Sequence, residues 1–215
     1  MNIKSILTFE EVYKYYEKGG LKKDVLIDVS FSLEQGTINL INGHSGSGKT
    51  TLIYLAGLLK KPNKGEIKIL GNKTKNFDEK QRAKLIRDQI GIIYQRSNLI
   101  PNLTALENVM LPMISSDKEK AQKLLEKVKI NDWNKLPIDL SVEDEQKVAL
   151  ARSLVNDPAI ILADEPTAEL NSKSIQNFMK LLDKMDNITI LMTSDNNSLR
   201  KFANHTFELK DGTIQ

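Results

Sequence analysis

The segment Gly43-His44-Ser45-Gly46-Ser47-Gly48-Lys49-Thr50 constrains this chain more than any other stretch. It fills the pattern Gly-x-x-x-x-Gly-Lys-Thr, in which glycines let the backbone curl so that several N–H groups face one anion. It follows a predicted strand, Thr37–Asn42, and precedes an apolar helical run from Thr50 to about Leu59. A helix starting there adds a partial positive charge at its N-terminus. Lys49 is the candidate for reaching the β- and γ-phosphates of a nucleotide, and the Thr50 hydroxyl for ligating Mg²⁺. Thr51 continues the helix start.

The rest of the chain supplies a sheet to carry that loop. Val25–Leu33 alternates as a half-buried strand does, and Glu66–Leu70 and Ile92–Tyr94 read as further strands. Ala159–Ala163 is a continuous apolar run, as in a strand buried on both faces, and Thr189–Thr193 is another strand. Helices are predicted over Glu79–Gln89, Ala105–Met110, Lys118–Val128, Glu143–Val155 and Ser172–Met185, with a short one near Leu199–Ala203. Asp211-Gly212 between His205–Lys210 and Thr213-Ile214 is a hairpin signal. Strands alternating with helices predict a mostly parallel α/β sheet, with antiparallel pieces at the two ends of the chain. The 215 residues fit one domain spanning 1–215, with a helical insertion over roughly 96–155, and a hydrophobic share of 40% is enough for a core.

Ile160-Ile161-Leu162-Ala163-Asp164-Glu165 is an apolar strand ending in two acids. In open α/β sheets such a strand end lies beside the ligand crevice. Asp164 can hold Mg²⁺ through water, and Glu165 can polarise an attacking water as a general base. The alternative is a helix N-terminus capped by acids ahead of Pro166.

Composition narrows the partners. The chain carries 31 basic and 28 acidic residues, a net charge of +3, which argues against a dedicated nucleic-acid binder. There is no cysteine, so disulfides and thiolate metal sites are excluded and the redox compartment is left open. The N-terminal apolar stretch is cut off by Glu10 and Glu11 and does not read as a signal peptide, and no apolar run approaches membrane-spanning length. The expectation is a cytoplasmic chain that works at a membrane only by docking on another subunit. The charges around Lys118-Glu119-Lys120 read as a solvated helix face.

Beyond the loop and the acid pair, Asp164-Glu165-Pro166-Thr167 resembles the Walker B run of ABC transporter ATPases. Leu58–Ile67 resembles their segment after the phosphate-loop helix, and Ile92-Ile93-Tyr94-Gln95 their Q-loop. Leu99–Val109 is similar to exporters of the macrolide, lipoprotein-releasing and bacitracin-resistance type, and the resemblance runs from about Leu7 to Ile214. It implies a P-loop NTPase fold with an antiparallel β subdomain and an inserted helical subdomain. It also implies Mg-ATP as ligand, with Gln95 contacting Mg²⁺ and the water. An aromatic ring stacking on adenine is implied at Tyr16, with Tyr15 and Tyr13 as alternatives. The implied partners are a transmembrane permease, docked in the groove of the Q-loop and helical region through contacts between Arg96 and Val109, and a second ATPase in a homodimer or heterodimer. The implied location is the inner face of the cell membrane.

The sequence departs from that family at three places. Where Leu-Ser-Gly-Gly-Gln is usual, the chain has Leu140-Ser141-Val142-Glu143-Asp144, while Gln146–Arg152 still fits. In the family this segment approaches the partner's γ-phosphate. Here Ser141 remains the candidate contact, but Val142 adds bulk and two acids add like charge, which repels a phosphate by about 4 kcal/mol per unit pair at 4 Å and an effective dielectric near 20. Ser141 followed by Asp144 resembles a capping box, so this helix end is expected to be satisfied internally. Ser194 stands where the family places a γ-phosphate-contacting histidine; it can donate one hydrogen bond but carries no charge. Neither His44, inside the phosphate loop, nor His205, beyond the short helix, is placed to substitute. Asn171 stands where the family's D-loop has aspartate. The expectation is a transporter subunit that binds ATP and hydrolyses it slowly or only with a partner; the alternatives are an ATP-gated clamp, or an ATPase of DNA repair or translation, which usually carries long coiled-coil insertions or a second ATPase half.

Overall fold

The computed structural model describes residues 5–185 and 187–215. Its centre is a six-stranded sheet in the order β10-β9-β3-β8-β7-β6, built from β3 (Ile38–Asn42), β6 (Ile90–Ile93), β7 (Ile160–Ala163), β8 (Thr189–Ser194), β9 (His205–Lys210) and β10 (Thr213–Ile214). All pairings are parallel except β9 with β10. Every residue of β3, β7 and β8 is buried. Successive side chains of a strand point to opposite faces, so neighbours feed different cores. Leu40, Ile161, Ala163, Ile190 and Met192 join one core with the helices α3 (Ala105–Met110), α4 (Lys118–Lys127), α5 (Val142–Leu154) and α6 (Ser172–Leu182). Ile41, Ile160, Leu162 and Leu191 join the other, with α1 (Lys49–Ala56) and the second sheet.

That second sheet is antiparallel, in the order β2-β1-β4-β5, from β1 (Ser5–Lys18), β2 (Leu21–Glu34), β4 (Lys64–Ile69) and β5 (Asn72–Lys73). Two expectations change here. Antiparallel pairing is not confined to the chain ends, because β4 and β5, following α1, pair with β1. The segment before Val25, for which the sequence predicts no element, holds the long strand β1 and the start of β2. Register shifts between Phe9 and Val12, with Glu11 at φ 49°, form an irregularity that resets the alternation. Leu7, Phe9 and Val12 therefore all face inward, and Phe9 stacks on Phe31 with ring centroids 4.8 Å apart.

Helix boundaries follow local chemistry. In α2 (Glu79–Gln89) Asp78 and Gln81 form a full capping box, and in α3 Thr104 and Glu107 do the same. The apolar run expected to reach Leu59 as helix stops at Ala56, since Leu58 turns left-handed at φ 56°. Gly65 joins the loop after α1 to β1: at φ +85°, an added Cβ would lie 2.3 Å from Glu11 O and 2.5 Å from Glu10 O. Gly65→Ala is expected to destabilise the fold by about 1–3 kcal/mol. A melting temperature lowered by about 2–4 °C per kcal/mol would register it in a thermal melt.

Candidate active site

A cavity of about 620 Å³ opens at the carboxyl ends of the central strands. Ser45 to Thr51 form one wall, Lys23, Asp24 and Val25 of β2 another, and Gln95, Glu165, Asp195, Asp211 and Gly212 complete it. The glycine loop is shaped by backbone that side chains would obstruct. Gly48 sits at φ +112°, where a Cβ would lie 2.9 Å from both Leu26 Cδ2 and Val25 O. Gly43 has Leu209 O 2.4 Å from where its Cβ would be, and its N–H donates to Ser194 O at 3.2 Å.

Lys49, only 4% exposed, closes the loop from below. Its Nζ donates to Gly43 O at 2.6 Å and His44 O at 3.1 Å, and pairs with Glu165 Oε1 at 3.1 Å. The Ser47 hydroxyl, also lining the cavity, is buried without a hydrogen-bond partner. An enclosed ammonium, an orphaned hydroxyl and a backbone curl cleared by glycines fit a phosphate chain. Thr50 and Gln95 line the same cavity.

The two acids end β7 and are sorted by one hydroxyl. Thr193 Oγ1 donates to Asp164 Oδ1 at 2.9 Å and accepts from Glu165 N at 3.0 Å. Asp164 is buried behind the cavity wall, whereas Glu165 reaches into the cavity. Glu165 takes φ 46°, an uncommon conformation for a non-glycine residue and one that clusters at functional sites.

Other expected residues are placed differently from one another. Ser194 is buried; its Oγ accepts from Asn196 N at 3.0 Å, and Asp195 rather than Ser194 lines the cavity. Tyr16 is half-exposed and is not among the residues lining the cavity, and its hydroxyl accepts from Lys60 Nζ at 3.2 Å. Burial raises the Tyr16 phenol pKa, but hydrogen bonds from Lys60 and Thr51 outweigh it and the net shift is downward. Lys23, the cross-strand neighbour of Tyr16, faces the cavity. His44 places Nδ1 2.8 Å from Ser45 O and Nε2 3.7 Å from Asp211 Oδ1. His205 begins β9 and is exposed.

Ser141 lies outside this cavity as the N-cap of α5. Its Oγ accepts from Asp144 N at 3.1 Å and donates to Asp144 Oδ2 at 2.8 Å. Only half of a capping box forms, because the Asp144 carboxylate turns to the hydroxyl instead of the Ser141 amide. Lys147 sits 3.0 Å from both Glu143 Oε1 and Asp144 Oδ1. Glu143 also accepts from Ser174 Oγ and, at 3.3 Å, from Asn177 Nδ2, both on α6. Asn171 caps that helix, accepting from Lys173 N at 3.1 Å and Ser174 N at 3.0 Å. Asparagine serves there as well as aspartate would.

The Ser174 hydroxyl first, then Lys147 and Asn177, hold the Glu143 carboxyl below its usual value of 4.5 despite partial burial. A depressed acid contributes stability above its unfolded pKa and loses it as pH falls through the folded value. Acidification from pH 7 to below about 4 should therefore lower the wild-type melting temperature more than that of Glu143→Gln. Equal losses in parallel melts would remove this contact from the account.

Sequence reasoning did not find the far cavity wall. Lys23 and Asp24 lie in a strand whose inward face is apolar further on, and Asp211-Gly212 reads only as a hairpin turn. Gly212 O accepts from Ile27 N at 2.8 Å, which draws that hairpin to the cavity rim.

Comparison with known proteins gives a consistent set of relatives. A family profile described as ABC transporter matches residues 26–168. An uncharacterized ABC transporter ATP-binding protein of Methanocaldococcus jannaschii is 41% identical over 95% of this chain and 96% of its own. The macrolide export ATP-binding/permease protein MacB of Bdellovibrio bacteriovorus is 37% identical over 98% of this chain, which spans 33% of that longer protein. Among solved structures, a dimeric post-hydrolysis state of the ATP-binding cassette MJ0796 bound to ADP and Pi superposes with a TM-score of 0.89. It shares 35% identity, and the match covers 97% of this chain and 96% of that one. The cassette cbiO1 from Clostridium perfringens, part of the ABC transporter complex cbiONQ, also gives 0.89 at 25% identity, covering 99% and 87%.

Proposed function

This chain belongs to the ABC transporter family, and from that premise we propose that it is the ATP-binding, energy-coupling subunit of a transporter that exports or extracts a peptide, lipoprotein or antimicrobial. The observation that carries the nucleotide reading is the enclosed Lys49, bonded to the loop carbonyls and to Glu165 inside a glycine-shaped cradle. When a triphosphate enters, Lys49 turns its remaining donor capacity to the β- and γ-phosphates and leaves Glu165. The freed carboxylate then orients and deprotonates the attacking water. Thr193 keeps the two acids in separate tasks, Asp164 behind and Glu165 in front.

Mg²⁺ would be held by the Thr50 hydroxyl, the Gln95 amide and, through water, Asp164, and would neutralise charge on the phosphates. That donor set is hard oxygen, and among the described residues no cluster of three acidic, histidine or cysteine side chains offers a self-contained metal cage. Tyr16, outside the cavity lining but paired across the strands with Lys23 that lines it, supplies the ring against adenine.

Turnover is slow or depends on a partner, because the first turn of α5 commits the Ser141 hydroxyl and the Asp144 amide to each other and sets two carboxylates where a foreign phosphate would approach. Ser141 is committed to Asp144, and Glu143 and Asp144 share Lys147 in the position a γ-phosphate would need. A second ATPase with an unblocked helix end would complete the site over this chain's loop. The ADP- and Pi-bound dimer of MJ0796 supports pairing of two such subunits. The same locked helix favours, as a second reading, an ATP-gated clamp in which association rather than turnover matters.

Membrane attachment is through a permease; among the described residues no helix is long and apolar enough to cross a bilayer. MacB carries permease and ATP-binding parts under one name, and cbiO1 belongs to a multi-subunit complex, which supports such a partner here. The docking place is the groove of about 250 Å³ between β6 and the helical region, where Leu111 and Pro112 meet Arg152 and Asn156. This lies just beyond the Arg96–Val109 stretch in which contacts are expected from sequence. A subunit docked there would work on the inner face of the membrane. Steady-state hydrolysis by the chain alone and with its permease tests the proposal: permease-stimulated turnover supports the motor, and tight ATP binding with none in either state supports the clamp.

A further inference from the structure

The segment that carries Gln95 is fastened to α5 by side chains that the reading above does not use. Gln146, 2% exposed, donates from Nε2 to Gln95 O at 2.7 Å and reaches Tyr94 O at 3.4 Å. Beside it Glu145 accepts from Ser97 Oγ at 2.6 Å, and Arg152 donates to Ser97 O at 2.5 Å and Asn98 O at 2.8 Å. Glu145 and Arg152 are seven residues apart and so share a helix face. On the sheet side the same segment is held where it leaves β6, by Asp164 N donating to Ile93 O at 2.9 Å. Gln95 thus hangs between the strand end that bears Asp164 and the helix whose N-cap is Ser141.

We infer that Gln146 is a positioning residue: its amide sets the peptide of Gln95, and so transmits shifts of α5 to the Gln95 side chain in the nucleotide cavity. The amide's chemistry points the same way. Its Oε1 is buried with no hydrogen-bond partner, while its N–H side serves two main-chain carbonyls. An orphaned buried acceptor is a cost, and an apolar side chain of the same size would avoid it. The residue therefore contributes through its donor, and that donor is spent on the backbone of Gln95. Glu145 and Arg152 hold the segment two and three residues further on, so they fix its path without fixing the Gln95 peptide.

The inference rests on the reading of Gln95 as a contact of Mg²⁺, and the experiment separates the two. Gln95→Ala, Gln146→Leu, Gln146→Glu and the pair Gln95→Ala/Gln146→Leu are compared with wild type. The readout is affinity for a fluorescent ATP analogue with Mg²⁺ and again with EDTA, alongside melting temperature. Each single variant is expected to reduce the Mg²⁺-dependent gain in affinity by about fivefold or more, with affinity in EDTA unchanged. The pair should lose no more than the worse single variant, because both substitutions interrupt one connection. Gln146→Glu, which keeps the shape and removes the donor, should behave as Gln146→Leu does in the Mg²⁺ readout; Gln146→Leu should melt within a few degrees of wild type, and Gln146→Glu lower, because it buries a carboxylate against two carbonyls. A Gln95→Ala variant with an unchanged Mg²⁺ dependence would sink the Gln95 reading and this inference with it. A Gln95→Ala effect beside a silent Gln146→Leu, losses that multiply in the pair, or a wild-type Gln146→Glu would each overturn the inference alone.

Discussion

Lys49→Ala is expected to weaken ATP binding by about two to four orders of magnitude. The one charge-assisted hydrogen bond that Lys49 can turn from Glu165 to a phosphate oxygen is worth about 1.5–3 kcal/mol, its unit charge beside the second phosphate adds about as much again at an effective dielectric near 20, and about 1.4 kcal/mol is tenfold in affinity. The substitution also strips Gly43 O and His44 O of the donor that holds the loop shut. Binding of a fluorescent ATP analogue measures the loss. A variant within threefold of wild type would mean that the cavity is not a triphosphate site. Melting should fall by several degrees in the same variant, since Gly43 O and His44 O lose a buried donor, while Glu165 keeps partial access to water once its partner is gone.

Glu165→Gln should separate binding from chemistry. Removing a positioned general base costs about 10²–10⁴ in turnover. ATP affinity should stay equal or rise, because the neutral amide no longer competes for Lys49 across 3.1 Å. Steady-state hydrolysis with the permease present, beside equilibrium binding, tests both halves. Turnover above a tenth of wild type would move the base elsewhere, and Asp195 is the next carboxylate on the cavity wall. This variant also discriminates the clamp reading, in which it would change nothing that the complex does.

Much of this architecture is legible in the sequence for definite physical reasons. The phosphate loop is read correctly as a connection between strand and helix because glycine, lysine and hydroxyl spacing is a backbone requirement rather than a preference. The helix Ala105–Met110 is found at its true ends because Thr104 and Glu107 write its start in polar side chains. The strand Ile160–Ala163 is found because burial on both faces removes every polar residue from it. The first strand escapes because the irregularity at Glu11 puts two outward acids in succession and breaks the period of two. The partner of the strand after α1 escapes for a different reason: pairing with a segment some fifty residues earlier leaves no local mark. In the site itself, the residues carried on the loop and on the end of β7 are legible, while Lys23, Asp24 and Asp211 are not. They reach the cavity only through the meeting of two sheets. Ser194 shows the converse, since it ends β8 beside the phosphate loop but its hydroxyl turns inward to Asn196 and leaves Asp195 facing the cavity.

The contact between Lys49 and Glu165 has a consequence for what leaves the site. A carboxylate tethered beside the lysine behaves as a built-in competitor at a high effective concentration, always present and never diluted. A ligand held by many contacts along its phosphate chain can displace it. Inorganic phosphate, held by few, cannot hold its place against it. Return of Glu165 to Lys49 and departure of the product are then one event, so free phosphate should be a poor inhibitor even where it is abundant.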